Sequence, residues 1–278
     1  MYLWHGQFLS KDRACHALGE MFGCAPSPGV IAAAARKIAG FIAPTLDVIV
    51  KALTQAEVAH SDETGFRAAG KLAWAHSASA GRYVLVTVHV KRGREAMDAA
   101  GVLPAFTGIA IYDAWAPYDS YHGMAANALC NAHLLRELTA VTETGTPEDV
   151  IWARQAVDAL LALKNAAEQA RAAGQDTIDS EVLDKQAKYF QDAARAGITL
   201  NAARCGELQK QRHALATRMR DRAADYLRFA HDLRVPFDNE GASYCTSWVR
   251  SGVSRFVCWS ACCVVSMAWG TDSFRQWA

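Results

Sequence analysis

The chain has 278 residues, of which 51% are hydrophobic and 21% charged. That is material for one large or two medium domains, and it excludes an intrinsically disordered protein. With 29 Lys and Arg against 28 Asp and Glu, the net charge is only +1. A global basic field is thereby excluded, so a nucleic acid would have to meet a local patch. There is no uninterrupted apolar run of about 18 residues, and Met1-Tyr2-Leu3-Trp4-His5 lacks a basic region followed by a long apolar one. Neither a membrane span nor an export signal is expected. Four cysteines are scattered (Cys15, Cys24, Cys130 and Cys205) and four crowd into the last 34 residues, which is no disulfide framework. A reduced, cytosolic protein is the expectation.

Residues 10–55 read as helical. Ser10-Lys11-Asp12-Arg13-Ala14 opens like a capped helix, and Ala14, Leu18 and Met21 recur at helical spacing. Pro26-Ser27-Pro28-Gly29 is a break, after which a long Ala-rich helix starts at Ser27 or Pro28. Val30, Ile31, Ala34, Ile38, Phe41 and Ile42 share one of its faces. Pro44 should kink or restart it, because proline removes a helix hydrogen bond. Two helices joined by a turn can form a DNA-binding unit, but more often they are scaffold.

The character changes at residue 56. Ala56–Asp62 reads as a strand. Phe66–Ala69 and Leu72–Ala78 read as a hairpin about Gly70-Lys71. Arg82–Val90 is the strongest strand by β-branched and aromatic content. Lys91-Arg92-Gly93-Arg94 then leads into a short helix, Glu95–Ala100, closed by Gly101 and Pro104. Gly108–Asp113 is the next strand. Three strands, a helix and a further strand is the order of an RNase H-like α/β core, with Asp62 ending the first strand and Asp113 the fourth. Two such carboxylates are the minimum for holding Mg²⁺ over a phosphodiester, because a hard cation prefers carboxylate oxygen. The plainer reading is that both are ordinary strand-end aspartates. Lys91, Arg92 and Arg94 are either a solvated loop or, beside two metal-binding acids, contacts to phosphate. Trp74, Trp115 and Tyr118 read as core or rim packing rather than base stacking.

Further along, Cys130 and His133 stand three apart, on one helical face or at a strand–helix junction. Such a pair is half a zinc site, and neither Cys205 nor His213 offers a second half at ligand spacing. Glu137 follows within reach of the acids. Residues 147–233 read as helical throughout. Pro147-Glu148-Asp149 begins the first helix, and Ile151, Ala156, Leu160, Leu161 and Leu163 form its apolar stripe. Two more helices, Ile178–Ala196 and Ala202–Arg234, complete an antiparallel bundle. The last carries Arg204, Lys210, Arg212, Arg218, Arg220, Arg222 and Arg228. A charge run is usually a solvated face, and contact with a nucleic-acid backbone is the sharper alternative. After Glu240 the only acid is Asp272, there is no lysine, and four of the eight tryptophans occur there. Ser243–Ala278 has no amphipathic order and reads as translation in the wrong frame; a buried terminal helix from Val257 to Trp269 is the alternative.

Seven motifs in order resemble the central domain of the insertion sequence 66 family of bacterial transposases. They are Ala59-His60-Ser61-Asp62-Glu63-Thr64-Gly65, Lys71-Leu72-Ala73-Trp74-Ala75-His76, Thr87-Val88-His89-Val90-Lys91-Arg92-Gly93, Gly101-Val102-Leu103-Pro104, Tyr112-Asp113-Ala114-Trp115, the run Leu129-Cys130-Asn131-Ala132-His133-Leu134-Leu135-Arg136-Glu137-Leu138, and Val235-Pro236-Phe237-Asp238-Asn239. The resemblance implies a DDE transposase, RNase H-like in fold, with a helical insertion before its third acid. Carried over by position, Asp62 and Asp113 match the first two metal-binding aspartates, with Mg²⁺ or Mn²⁺ as cofactor. The family continues after Asp-Asn with Asn-x-Ala-Glu-Arg, whose glutamate is taken as the third acid. Here Glu240, Gly241 and Ala242 fill the first three places, and Ser243 and Tyr244 stand where Glu and Arg belong. Glu240 and Glu137 are the possible stand-ins.

The expected organisation is a helical segment over 1–55, a catalytic core over 56–146, a helical insertion over 147–234 and an aberrant tail over 235–278. The expected function is DNA transposition by two-metal cleavage and strand transfer, in a truncated and catalytically impaired chain. Transposon ends and target DNA would be its partners, contacted by Lys91, Arg92, Arg94, Arg212 and Arg218. Self-association or association with intact transposase would occur in the bacterial cytoplasm at the nucleoid, without a membrane. The alternative is a non-catalytic remnant that binds DNA or an intact relative.

Overall fold

The computed structural model of the chain describes residues 2–6, 9–68 and 70–242. The expectations for Ser243–Ala278 lie outside the described residues. The fold is α/β: a mixed five-stranded sheet flanked by helices, with strand order β3-β2-β1-β4-β5. The strands are β1 (Val58–Ala68), β2 (Lys71–Ala80), β3 (Tyr83–His89), β4 (Ile109–Tyr112) and β5 (Ala126–Leu129). Chain contacts divide the described residues into two compact units. One runs from the N-terminus to Ala56, from Ser61 to Phe106, and resumes at Gly241; the other holds Glu57–His60 and Thr107–Glu240.

In the first unit, α1 (Lys11–Phe22) is capped by the Ser10 hydroxyl, which accepts the Arg13 N–H at 3.2 Å. It stops at Gly23, which adopts the left-handed φ of +66° that favours glycine. Ala14 and Cys15 pack against Ile31, with Leu3, Trp4 and Leu9 around them. Ile31 belongs to α2 (Pro28–Thr54), which begins on a Ser27 cap with Pro28 in its first turn. α2 does not restart at Pro44, one of the two outcomes expected there, but continues through it as one helix. The missing N–H frees the Gly40 carbonyl, but both residues are solvent-exposed, so the loss falls where water can compensate. By length and composition α2 is also apolar enough to cross a membrane, although no uninterrupted apolar run announces it. Ile31, Ile49 and Leu53 are buried, and the helix packs on β3 and β2.

The sequence reading split the first strand at Asp62, whereas β1 is one strand of 11 residues. Ser-Asp-Glu-Thr-Gly has poor strand propensity, but Ser61 and Thr64 are buried and β2 lies alongside. Asp62 is therefore in mid-strand. The β2–β3 hairpin is registered from Trp74↔His89 to Ala80↔Tyr83 and turns on Gly81, at φ +55°. α3 (Arg94–Ala99) follows β3. His76 on β2 is buried at 5% exposure, with Nε2 3.4 Å from the Lys91 carbonyl and no hydrogen-bond partner for Nδ1 among the described residues. Burial is the main reason its pKa falls from 6.5 to about 4; the Lys91 carbonyl opposes the fall, and the His89 and Arg92 charges add to it.

In the second unit, β4 is buried along its whole length. It pairs in parallel with the start of β1 (Val58↔Ile109, His60↔Ile111) and with β5 (Ile109↔Ala126 to Tyr112↔Leu129). The helices are α4 (Asn131–Thr144), α5 (Pro147–Ala172), α6 (Ser180–Leu200), α7 (Glu207–Asp221), α8 (Ala223–Tyr226) and α9 (Arg228–His231). The single last helix expected from Ala202 is instead three short ones. Arg204 and Gly206, both at positive φ, separate α6 from α7. On α5 the buried stripe is Trp152, Ala153, Ala156, Ala159, Leu160 and Leu163, while Ile151 and Leu161, expected inside, are exposed. A Cβ at Gly197 of α6 would stand 2.9 Å from the Ala216 Cβ and 3.0 Å from the Trp152 ring, so glycine permits this close approach.

In the first turn of α5 the buried Asp149 closes a capping box with Thr146. It also accepts hydrogen bonds from Trp152 Nε1 (3.0 Å), Asn201 Nδ2 (2.8 Å) and Arg212 Nη1 (3.1 Å). Burial raises the Asp149 pKa, but these donors and the Arg212 charge outweigh it and the net shift is downward. Arg212, expected at a DNA surface, is buried in this network and also donates to the Thr144 carbonyl.

Two stability predictions follow from these buried groups. Since the folded pKa of His76 lies below its unfolded value, its contribution is complete above pH 6.5 and is lost as pH falls toward 4. Denaturant titrations should show about 3 kcal/mol less stability at pH 4 than at pH 7 from this group alone, and His76→Leu should remove that increment. Arg212→Leu, which leaves Asp149 buried without its cation, should cost about 3–5 kcal/mol in urea unfolding.

Candidate metal centre

Parallel strands deliver their C-terminal ends to the same edge. The last registered pair of β4 and β5 is Tyr112↔Leu129, so Asp113 and Cys130 each leave their strand one residue later. The Cys130 N–H extends the ladder by donating to the Tyr112 carbonyl at 3.1 Å. Cys130 then caps α4, which places His133 in the first turn of that helix.

The three side chains converge. His133 Nδ1 lies 2.8 Å from Asp113 Oδ1 and 3.2 Å from Cys130 Sγ. The ligand-capable atoms of all three fall within 4.8 Å of one another. Asp113 Oδ1 is buried. The His133 pKa is pushed up to about 10, first by Asp113, then by Cys130, against the effect of burial. A cavity of ≈ 220 Å³ opens beside them, lined also by Trp115, Glu137 and Arg218. A buried carboxylate oxygen beside a thiol and an imidazole is a donor set that fits a divalent cation. Sequence spacing exposed only Cys130 and His133; the missing partner, Asp113, is 17 residues upstream and becomes visible once the strand register is known.

The other expected residues are distributed as follows. Asp62 is half-buried in β1, and its Oδ1 accepts the Glu63 N–H at 2.9 Å. Arg92 donates to the nearly buried Glu63 carboxylate at 2.7 Å and lies over the Trp74 ring at 4.9 Å. Lys91 pairs with Glu95 and Arg94 with Asp98, both at exposed positions. Arg218 pairs with Glu137 at the cavity rim and donates to the Tyr226 hydroxyl at 2.9 Å. Glu240 is exposed and begins a helical turn whose first N–H donates to Asp238 Oδ1 at 3.1 Å.

One anchor was read from the sequence only as part of a motif. Asn239 is fully buried, its Oδ1 lies 3.0 Å from His60 Nδ1, and its N–H donates to Cys130 Sγ at 3.3 Å. Nearby, the Asn131 N–H donates to the Phe237 carbonyl at 3.1 Å, and the Asn131 side chain donates to the Tyr226 carbonyl at 2.9 Å. Burial lowers the His60 pKa, against smaller upward effects of Asn239 and Asp238. Asn239→Leu removes the partner of a half-buried imidazole and should cost about 1–3 kcal/mol in chemical denaturation.

No curated protein matches the chain. The family model described as Transposase IS66 family matches residues 1–242, ending at Ala242 just before the expected third-acid position. With most of the chain covered and the Asp113–Cys130–His133 cluster within the match, the chain belongs to the IS66 family of transposases.

Proposed function

We propose that this chain is the central domain of a DNA transposase with an RNase H-like core, in which Asp62 and Asp113 are metal-binding acids. The observation that carries the reading is the parallel register of β1 and β4: His60 pairs with Ile111, and each aspartate lies two residues beyond that pair. The chain order of three strands, a helix and a fourth strand supports it. A divalent ion held by such acids supplies Lewis-acid stabilisation of the phosphodiester and activates the attacking water or 3′-hydroxyl. Lys91 pairs with Glu95 and Arg94 with Asp98 at exposed positions, and exposed ion pairs are weak enough to be exchanged for phosphate. Glu63 anchors Arg92 and so fixes the turn that carries them.

Ser243 stands where the third acid is expected, and of the stand-ins Glu137 is already paired with Arg218. This favours an impaired enzyme, and it supports a second reading as a DNA-binding remnant or a partner of intact transposase. Supercoiled plasmid incubated with the full chain and Mn²⁺ or Mg²⁺ tests both. Slow metal-dependent nicking, reduced roughly a hundredfold or more by Asp62→Asn and by Asp113→Asn, is the expected result. Salt-sensitive DNA binding without nicking that responds to either substitution would sink the catalytic reading and leave the remnant.

A further inference from the structure

The geometry points to Asp113, Cys130 and His133 as a site for a thiophilic divalent cation of the zinc or cobalt class, selected over magnesium. The proposal shares with the function above only the premise that Asp113 is a metal ligand; it needs neither Asp62 nor any activity. Three lone-pair donors of different kinds, a carboxylate oxygen, a thiol sulfur and an imidazole nitrogen, meet within 4.8 Å. His133 Nδ1 lies 3.2 Å from Cys130 Sγ and 2.8 Å from Asp113 Oδ1, so one ring nitrogen is shared between two lone-pair atoms. A cation at the centre would satisfy all three atoms at once. With zinc bonds of about 2.0–2.3 Å, tetrahedral ligands stand roughly 3.4–3.8 Å apart, so the observed 2.8 and 3.2 Å need to open by less than about 1 Å.

The scaffold suits such a site. Asp113 and Cys130 follow a fixed register pair on neighbouring strands, and His133 is held by the first turn of α4. The Asn239 N–H points at Sγ from outside the cluster, the kind of outer hydrogen bond that stabilises a thiolate ligand. Thiolate and imidazole select zinc-like ions, whereas magnesium requires an oxygen shell that this cluster lacks. The fourth position would face the cavity bordered by Glu137 and Arg218, leaving it open to water or to a substrate oxygen. Binding would release the thiol proton and, where His133 is protonated, the Nδ1 proton. Metal on Nδ1 leaves a proton on Nε2, so the exposed Arg136, now 3.2 Å from Nε2, must swing away.

The experiment is a titration of the metal-stripped full chain with Co²⁺, in a background carrying Cys245→Ser, Cys258→Ser, Cys262→Ser and Cys263→Ser. One equivalent should produce the intense visible bands of tetrahedral cobalt and a thiolate-to-cobalt charge-transfer band. Zn²⁺ should displace it stoichiometrically, and a large excess of Mg²⁺ should not. Cys130→Ser should abolish the charge-transfer band. His133→Gln, at a half-exposed position that tolerates change, should weaken binding roughly tenfold or more. Arg136→Glu, which offers Nε2–H an acceptor, should tighten it. Asp62→Asn should leave the spectrum unchanged, so cobalt binding without nicking retains this site while the catalytic reading fails. Displacement by Mg²⁺ at comparable concentration, or a charge-transfer band that survives Cys130→Ser and affinity that survives His133→Gln, would overturn the proposal.

Discussion

The second unit depends on the parallel pairing of β4, a strand of only four residues with a neighbour on each side. Because it is buried on both faces, its register is fixed by packing, and a slip of one residue would turn Ile109 and Ile111 out of place. Parallel strands also end at the same edge. That single constraint brings Asp113 beside Cys130, and the helix that must follow β5 brings His133 to both. The chemistry of the cluster is thus a product of strand direction and register more than of local sequence.

A second organising choice is where the charges went. The basic residues of the last helical stretch look like a nucleic-acid face when read along the chain. In the fold, Arg212 is buried on Asp149, Arg218 reaches Glu137, and Arg222 bridges Asp119, Asp225 and the Tyr112 hydroxyl. These guanidinium groups fasten the helices to one another and to the end of β4. Fork-shaped donors suit that role, since each can reach more than one acceptor at once.

What the sequence made legible follows from how local each signal is. Tyr83–His89 was readable because β-branched residues dominate it, and Ser10, Ser27 and Pro28 announced two helix starts through capping chemistry. The continuity of β1 was not readable, because Ser61-Asp62-Glu63-Thr64-Gly65 favours a turn until its neighbouring strands and burial override propensity. Nor could the fate of Arg212 be read, since its acid partner lies 63 residues away. The family motifs identified the chain where periodicity alone could not, yet they did not join Asp113 to Cys130 and His133. That join required the pairing of two strands separated by an irregular connection.

The hydrogen bond from the Asn131 N–H to the Phe237 carbonyl has a topological meaning. Chain enters the helices beside β5 and comes back to the same spot more than a hundred residues later, so the bundle is a closed excursion whose two ends meet beside β5. Closing such an excursion costs an entropy that grows only with the logarithm of its length, about 0.6 kcal/mol for each doubling. Closure entropy therefore sets little limit on the length of the excursion, provided the two ends still meet, and the packing around Trp152 and Asp149 is what constrains its interior. Evolutionary variation in length should concentrate inside the excursion, while the place where its ends meet, next to Cys130 and Asn239, stays rigidly specified.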